Sequence, residues 1–289
     1  MTKIWRILRD INELIVFKHS IFALPFIFVA MITASKIDNN SMWFGWKLLI
    51  LGVICAVSAR NFAMAYNRLK DEDIDRPNPR CASRPSVDGR IGRVNLILFI
   101  ALNAVVFVIC AYFINLLAFC LSLPFLLILA GYSHFKRFSE FAHLALGVCQ
   151  GLAPIAGVVA VSGEIPIWAV LLAFGSAFWV GGFDILYSLQ DIEYDKKAGL
   201  FSIPARYGWE AASFISKLFH ILSVIFWFLF VWGAGLGIVA YFGVVVNAFI
   251  LYFEHKIVAK DFSKIDRAFF TLNGYLGILF FIFVWISLW

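Results

Sequence analysis

Asn67-Arg68-Leu69-Lys70-Asp71-Glu72-Asp73-Ile74-Asp75 closes one long apolar run, and Tyr187-Ser188-Leu189-Gln190-Asp191-Ile192-Glu193-Tyr194-Asp195 closes another 120 residues later. With that offset removed, Tyr187 falls on Asn67, Asp191 on Asp71 and Asp195 on Asp75. Each is an i, i+4, i+8 series, so a helix stacks the three side chains along one face over roughly 12 Å. Carboxylates gathered at the mouths of two apolar helices are costly unless a cation binds among them. The pattern points to a divalent-metal site for a phosphorylated substrate.

Composition sets the solvent. Of the 289 residues, 62% are hydrophobic and 15% charged, and the mean hydropathy is +0.88. A soluble domain is about a quarter charged and about half apolar, so this chain belongs in a bilayer. The 32 phenylalanines suit lipid-facing helices and interfacial belts. The net charge of +6 marks a cytoplasmic membrane face rather than nucleic-acid binding. Four of the five cysteines (Cys55, Cys110, Cys120 and Cys149) lie in apolar runs, and none has CxxC spacing with Cys81 or another. Neither a disulfide framework nor a zinc site follows. Met1 to Lys18 mixes charge with apolar residues and has no small-residue cleavage site, which argues against a cleaved signal peptide.

A spanning helix takes about 20 mostly apolar residues. Nine stretches qualify, approximately 19–35, 47–66, 94–113, 115–133, 143–163, 166–188, 211–232, 235–253 and 269–288. They lack the period-2 alternation of a lipid-facing barrel, so the expected class is all-α. Nine spans put the termini on opposite sides. The side shared by the N-terminus then holds 21 of the 24 Lys and Arg; the other side holds Lys36 and Lys47, and Arg60 lies inside the second span. That bias places the N-terminus and both acidic stretches in the cytoplasm. The offset of the two stretches suggests divergent halves, about 1–142 and 143–268, each of four helices, followed by a terminal helix. An even number of spans per half gives parallel repeats, with both acidic stretches at one end of the bundle, facing each other. The whole chain, 1–289, is read as one domain.

Magnesium takes one or two carboxylates and completes its octahedron with water and phosphate oxygens. Asp71, Asp75, Asp191 and Asp195 are therefore candidate ligands of Mg²⁺ ions that bridge to a diphosphate, with Asn67 as a carbonyl ligand or an amide donor. Glu72, Asp73 and Glu193 read as solvated. Tyr187 can donate to a phosphate oxygen or line the pocket. Arg60, two turns before Asn67 and inside an apolar run, either pairs with an aspartate or binds a substrate anion. Lys136 and Arg137 follow the fourth span on the same side. Arg76, Arg80 and Arg84 lie in a Pro-broken loop able to close over a diphosphate, although each alone reads as a topology charge. Asp184, after Gly181-Gly182, is the acid well inside the sixth span and is expected to pair with Arg60 or another cation. His19, His134 and His143 have no metal-ligand spacing and read as interfacial.

These residues resemble the UbiA superfamily of intramembrane prenyltransferases. Its motif N-x-x-x-D-x-x-x-D is met by Asn67, Asp71 and Asp75, and its Y-x-x-x-D-x-x-x-D by Tyr187, Asp191 and Asp195. The likeness extends over nearly the whole chain, through Lys18-His19 before Pro25, Arg60, Asn78-Pro79-Arg80, Tyr132, Lys136-Arg137-Phe138 and Ser202-Ile203-Pro204-Ala205-Arg206. It implies nine transmembrane helices around a central cavity with a lateral opening, and Mg²⁺ at the two motifs. A prenyl diphosphate would bind with its tail along the apolar wall. Asp71, Asp191, Arg60 and Tyr187 are the implied catalytic residues. Asn67, Arg60, Lys136, Arg137, Arg80 and Arg84 are the implied substrate contacts. Many members carry Asn-Asp where this chain has Asn67-Arg68. The flanks resemble the quinone-pathway branch acting on aromatic acids, 4-hydroxybenzoate or 1,4-dihydroxy-6-naphthoate, and Arg68 inclines the reading to the naphthoate. Haem O and chlorophyll synthase relatives fit the flanks less well. The implied setting is a multi-pass protein of the bacterial inner membrane, needing no protein partner. The competing class is a secondary transporter, whose ion sites lie near the midplane on broken helices rather than at one face.

Overall fold

The computed structural model describes residues 3–15, 20–261, 265 and 268–289, and among these the regular structure is entirely helical. Among the described residues nine helices are long and apolar enough to cross a membrane: Phe22–Asn39, Trp46–Lys70, Arg93–Ile114, Leu116–Phe135, Ala142–Ser162, Ile167–Ala198, Ile203–Gly233, Ile238–Lys260 and Phe270–Ser287. They are the nine expected spans, and the protein is a multi-pass membrane protein. We label the helices α1 (Lys3–Ile15), α2 (Ser20–Asn39), α3 (Trp46–Lys70), α4 (Glu72–Asp75), α5 (Arg93–Ile114) and α6 (Leu116–Phe135). There follow α7 (Ala142–Ser162), α8 (Ile167–Ser188), α9 (Ile192–Ala198), α10 (Ile203–Gly233), α11 (Ile238–Lys260) and α12 (Asn273–Ser287).

The boundaries differ from expectation where helices run past the apolar stretch. Helix α3 continues through Asn67 to Lys70, and α10 starts at Ile203 rather than near 211. Ser202 begins α10 by accepting a bond from the Ala205 amide (3.2 Å), with proline in the first turn where its missing N–H costs nothing. Inside α10 the chain kinks at Gly208 (φ 79°, ψ 180°), a conformation open essentially to glycine alone. Two junctions between spans are tight hairpins. Asn115 is extended and its Oδ1 accepts from the Ala118 amide (2.8 Å). Gly163 closes α7 in the left-handed region (φ 71°) and Pro166 precedes α8.

Two compact units emerge, Met1–Ser20 with Ile50–His134, and Ile21–Leu49 with Phe135–Trp289. In the first, Leu14, Ile15, Phe62, Ala65, Leu96, Ile100, Phe107 and Leu126 form the core. Polar contacts fix helix rotation there: Asn61 donates to Asn103 Oδ1 (3.1 Å), and Asn103 donates to the Phe99 carbonyl (2.8 Å). In the second, Phe26 lies among Trp179, Trp227 and Phe280 with centroids 5.0–5.7 Å apart. Trp179 Nε1 donates to Asn273 Oδ1 (2.7 Å), and Asn273 donates to Glu254 Oε1 (2.9 Å), so these three buried polar side chains are linked across α8, α11 and α12. Helix α8 is the centre of the unit. Small residues let α7 approach it, and Gly175 and Gly182 leave room for the Trp227 and His220 rings of α10.

Candidate active site

In the first unit α3 delivers Asn67, and the chain then breaks. Asp71 takes φ −94°, ψ 4° before α4 restarts at Glu72. The backbone ladder nevertheless persists: Asp71 N–H donates to the Asn67 carbonyl (2.9 Å) and Asp75 N–H to the Asp71 carbonyl (2.7 Å). In the second unit α8 ends at Ser188, a 3₁₀ turn spans Leu189–Asp191, and Asp191 takes φ −103°, ψ 3° before α9. One continuous helix was expected at each motif. Instead each middle aspartate sits at a helix break in the sparsely populated bridge region, where active-site residues recur. The two motifs share this backbone geometry as well as their sequence register.

Their surroundings differ. Asp71 and Asp75 are buried, at 2% and 4% exposure, whereas Asp191 and Asp195 are half-buried. Asn67 Nδ2 donates to Asp71 Oδ2 (2.9 Å) and to Ser133 Oγ (3.4 Å). Asp75 Oδ2 meets Arg84 Nη1 directly and lies 3.8 Å from Arg68 Nη1. Asp195 Oδ2 accepts instead from the neutral Ser202 hydroxyl (2.9 Å). Gly199 (φ 66°) ends α9 and turns the chain back so that Ser202 reaches that carboxylate while capping α10.

The other site candidates lie on several elements. Arg60 Nη2 donates to the Ile15 carbonyl (3.3 Å), tying α3 to the end of α1. Tyr187 is half-buried on the last turn of α8. Lys136 and Arg137 are half-buried after α6, and the Lys136 carbonyl accepts from Phe201 N–H (2.8 Å). Arg80 is exposed in a 3₁₀ turn capped by Asn78 Oδ1 (3.0 Å), and Arg76 pairs with Glu72 (2.7 Å). Asp73 and Glu193 are exposed, as expected of solvated acids. The loop is also held by Arg90, which grips Glu13 in a fork (2.7 and 2.8 Å) and bonds Asp88 (2.7 Å). That fork holds the Glu13 carboxyl below its ordinary range, and burial pushes the Cys81 thiol of the same loop up.

Two expectations are corrected. His143 is not interfacial: it is 3% exposed, and its Nδ1 lies 2.7 Å from Asp184 Oδ2. Asp184 thus finds its partner in a histidine. Because Nδ1 faces a carboxylate, it carries the proton, and Nε2 is left to accept the Ile203 amide (3.4 Å). The chain Asp184–His143–Ile203 fixes the start of α10, and with it the Ser202 hydroxyl on Asp195. Nothing in sequence spacing links these residues; the only signal was Ser202 before a proline, a helix-start signature. His134, by contrast, contacts Tyr66 Oη (3.2 Å), and Lys18 and His19 lie outside the described residues. His143→Ala is expected to cost about 1–2 kcal/mol and lower the melting temperature in detergent; an unchanged melting curve would remove the bridging role.

The motifs offer oxygen donors from aspartates, and among the described residues no group of three or more His, Cys, Asp or Glu converges as a metal cage. Such a donor set suits a hard cation that keeps water and substrate oxygens in its shell. Comparison with known proteins agrees in fold. The UbiA prenyltransferase family profile matches residues 23–286. The 4-hydroxybenzoate octaprenyltransferase of Francisella tularensis subsp. novicida is 28% identical over 236 residues, 81% of this chain and 82% of that protein. The apo structure of a UbiA homolog from Aeropyrum pernix K1 superposes with a TM-score of 0.84 at 30% identity, covering 94% of this chain and 98% of its own. A UbiA homolog from Archaeoglobus fulgidus bound to GPP and Mg²⁺ shares the fold, with a TM-score of 0.72 at 21% identity over 96% and 99%. With a family match across almost its entire length, this chain belongs to the UbiA prenyltransferase family.

Proposed function

We propose that the protein transfers a polyprenyl group from a polyprenyl diphosphate to an aromatic acid in quinone biosynthesis. The supporting observation is the doubled motif, in which each middle aspartate takes the same bridge-region backbone one turn before a second aspartate. Asn67, Asp71 and Asp75, and separately Asp191 and Asp195, would hold Mg²⁺. Bound there, the metal supplies charge to stabilise the departing diphosphate, so that an allylic cation develops. Arg80, Arg84 and Lys136 add fixed or mobile positive charge for the phosphate oxygens, and Tyr187 a hydroxyl donor. Arg60 and Arg137 are the candidate cations for the carboxylate of the acceptor. The electron-rich ring attacks the cation and loses a proton, while the apolar surroundings keep out the water that would quench it. The chain acts as one domain over 1–289. The distribution of Lys and Arg supports cytoplasmic active-site loops in a bacterial inner membrane.

Curated relatives named as 4-hydroxybenzoate octaprenyltransferases match four fifths of this chain, which favours 4-hydroxybenzoate as acceptor. The Asn67-Arg68 pair is the observation favouring 1,4-dihydroxy-6-naphthoate. A competition between the two acids in isolated membranes, with a polyprenyl diphosphate and Mg²⁺, is expected to yield prenylated 4-hydroxybenzoate and to stop when the metal is chelated. Prenylated dihydroxynaphthoate would reassign the acceptor. Absence of transfer to either acid would overturn the aromatic-acid reading and return the transporter class to consideration.

A further inference from the structure

Asp75 and Asp195 occupy the same position in their motifs, yet one is held by cations and the other by a hydroxyl. Asp75 Oδ2 takes Arg84 Nη1 and faces Arg68 Nη1 at 3.8 Å, with the Asp75 side chain 5% exposed. The guanidinium takes up acceptor capacity of Oδ2 and neutralises the carboxylate charge, so Asp75 is a poorer ligand for a divalent ion while the pair holds. An incoming ion would also meet two positive charges in a poorly hydrated place, where charges interact strongly.

The two arginines are not equivalent. Arg68 is on the last turn of α3 with a side chain only 11% exposed, so it is fixed. Arg84 is on the Pro-broken loop, its side chain 25% exposed, and its backbone is bonded only into local turns: N–H to the Cys81 carbonyl (3.0 Å), carbonyl to Val87 (2.8 Å) and Asp88 (3.0 Å) amides. It can exchange partners without moving a spanning helix. A diphosphate offers the same planar fork a richer acceptor than a single carboxylate oxygen.

We infer that the Arg84–Asp75 ion pair is an anion-operated clamp on the first motif: without a diphosphate Arg84 occupies Asp75 and opposes the metal, and a diphosphate draws Arg84 to itself and frees Asp75 as a ligand. This rests on the metal reading given above. Metal and diphosphate then bind the first motif with positive coupling, each tightening the other by the same factor. Arg68 stays behind as a fixed counter-charge. At the second motif the corresponding oxygen, Asp195 Oδ2, accepts instead from the neutral Ser202 hydroxyl (2.9 Å).

The test is equilibrium binding of Mn²⁺ as a spectroscopic probe to the purified full-length protein in detergent, with and without inorganic pyrophosphate at fixed free-ion concentrations. Mn²⁺ alone is expected to bind Arg84→Gln at least about fivefold more tightly than wild type, the lower end of usual coupling factors. Pyrophosphate should tighten Mn²⁺ on wild type by a comparable factor, and on Arg84→Gln much less. Arg84→Lys, which keeps the charge but loses the fork, should fall between, and it serves should the glutamine variant not fold. Arg9→Gln removes the same charge from α1, where Arg9 pairs with Asp10 (3.5 Å), and should leave Mn²⁺ affinity near wild type. Equal affinity for Mn²⁺ alone across wild type and both Arg84 variants would overturn the clamp, as would an equal gain from Arg9→Gln. Failure of wild type to bind Mn²⁺ even with pyrophosphate would overturn the metal reading itself.

Discussion

Asp71→Ala and Asp191→Ala are each expected to lower prenyl transfer by at least about a hundredfold, the scale seen when one charge-stabilising group is removed from an active site, while the protein still folds. Asp71 is 2% exposed and sits where α3 has just ended, with its backbone bonds to Asn67 and Asp75 independent of its side chain. Alanine keeps those bonds. It gives up the hydrogen bond from Asn67, a loss of about 1 kcal/mol. Asp191 is half-buried at the matching break before α9, so its removal should disturb folding still less. Melting curves that stay near wild type alongside a large loss of turnover would assign that loss to chemistry. Asp71→Asn keeps the volume and removes the charge, and it should be as inactive as alanine. Transfer assayed in membranes across a Mg²⁺ series, beside thermal melts of the same preparations, separates the two effects. Near-normal turnover of either alanine variant throughout that series would sink the metal assignment.

The sequence made the nine spans legible because a bilayer imposes length and apolarity on every crossing segment. It did not make their ends legible. Lys70 and Arg206 lie on helices, but residues of that kind read as loop, and a helix leaving the membrane keeps its backbone bonds while its hydropathy falls. The register of Asn67, Asp71 and Asp75 against Tyr187, Asp191 and Asp195 was equally plain. The breaks at Asp71 and Asp191 were hidden, since i, i+4 spacing survives a local change in φ and ψ. The His143–Asp184 pair, 41 residues apart, depends on how α7 and α8 are rotated about their axes. Helices that are apolar all round carry no strong face from which to read that rotation. Arg84 reads from the sequence as a diphosphate contact, but its grip on Asp75 follows from the turns at Pro79–Cys81 and Arg84–Asp88, which only the folded loop reveals.

Gly147→Ala is expected to produce the largest loss of stability from a single added methyl group. Gly147 and Gly151 form a G-x-x-x-G face on α7 against Ala173, Ala177 and Gly181 of α8. A Cβ at Gly147 would fall on the backbone carbonyl of Ala177, and one at Gly151 would lie 2.8 Å from the Ala173 carbonyl. Backbone oxygens inside a helix cannot step aside, so relief requires the two helices to separate. Overpacking of this kind costs about 1–3 kcal/mol, enough to lower the melting temperature by several degrees, and Gly147→Leu should prevent accumulation altogether. Gly131 in α6 is the control: a Cβ there meets nothing within 4 Å, so alanine should leave the melting temperature unchanged or raise it. The two glycines of α7 also bear on function, because α7 carries His143 and α8 carries Asp184. Separating these helices stretches the 2.7 Å contact that fixes Ile203, and through Ser202 the Asp195 carboxylate. Gly147→Ala should thus lose activity in step with stability, whereas Asp191→Ala should lose activity alone. A Gly147→Ala protein that melts with wild type would mean that α7 and α8 are spaced more widely than a glycine contact requires, and would remove the support for that relay to Asp195.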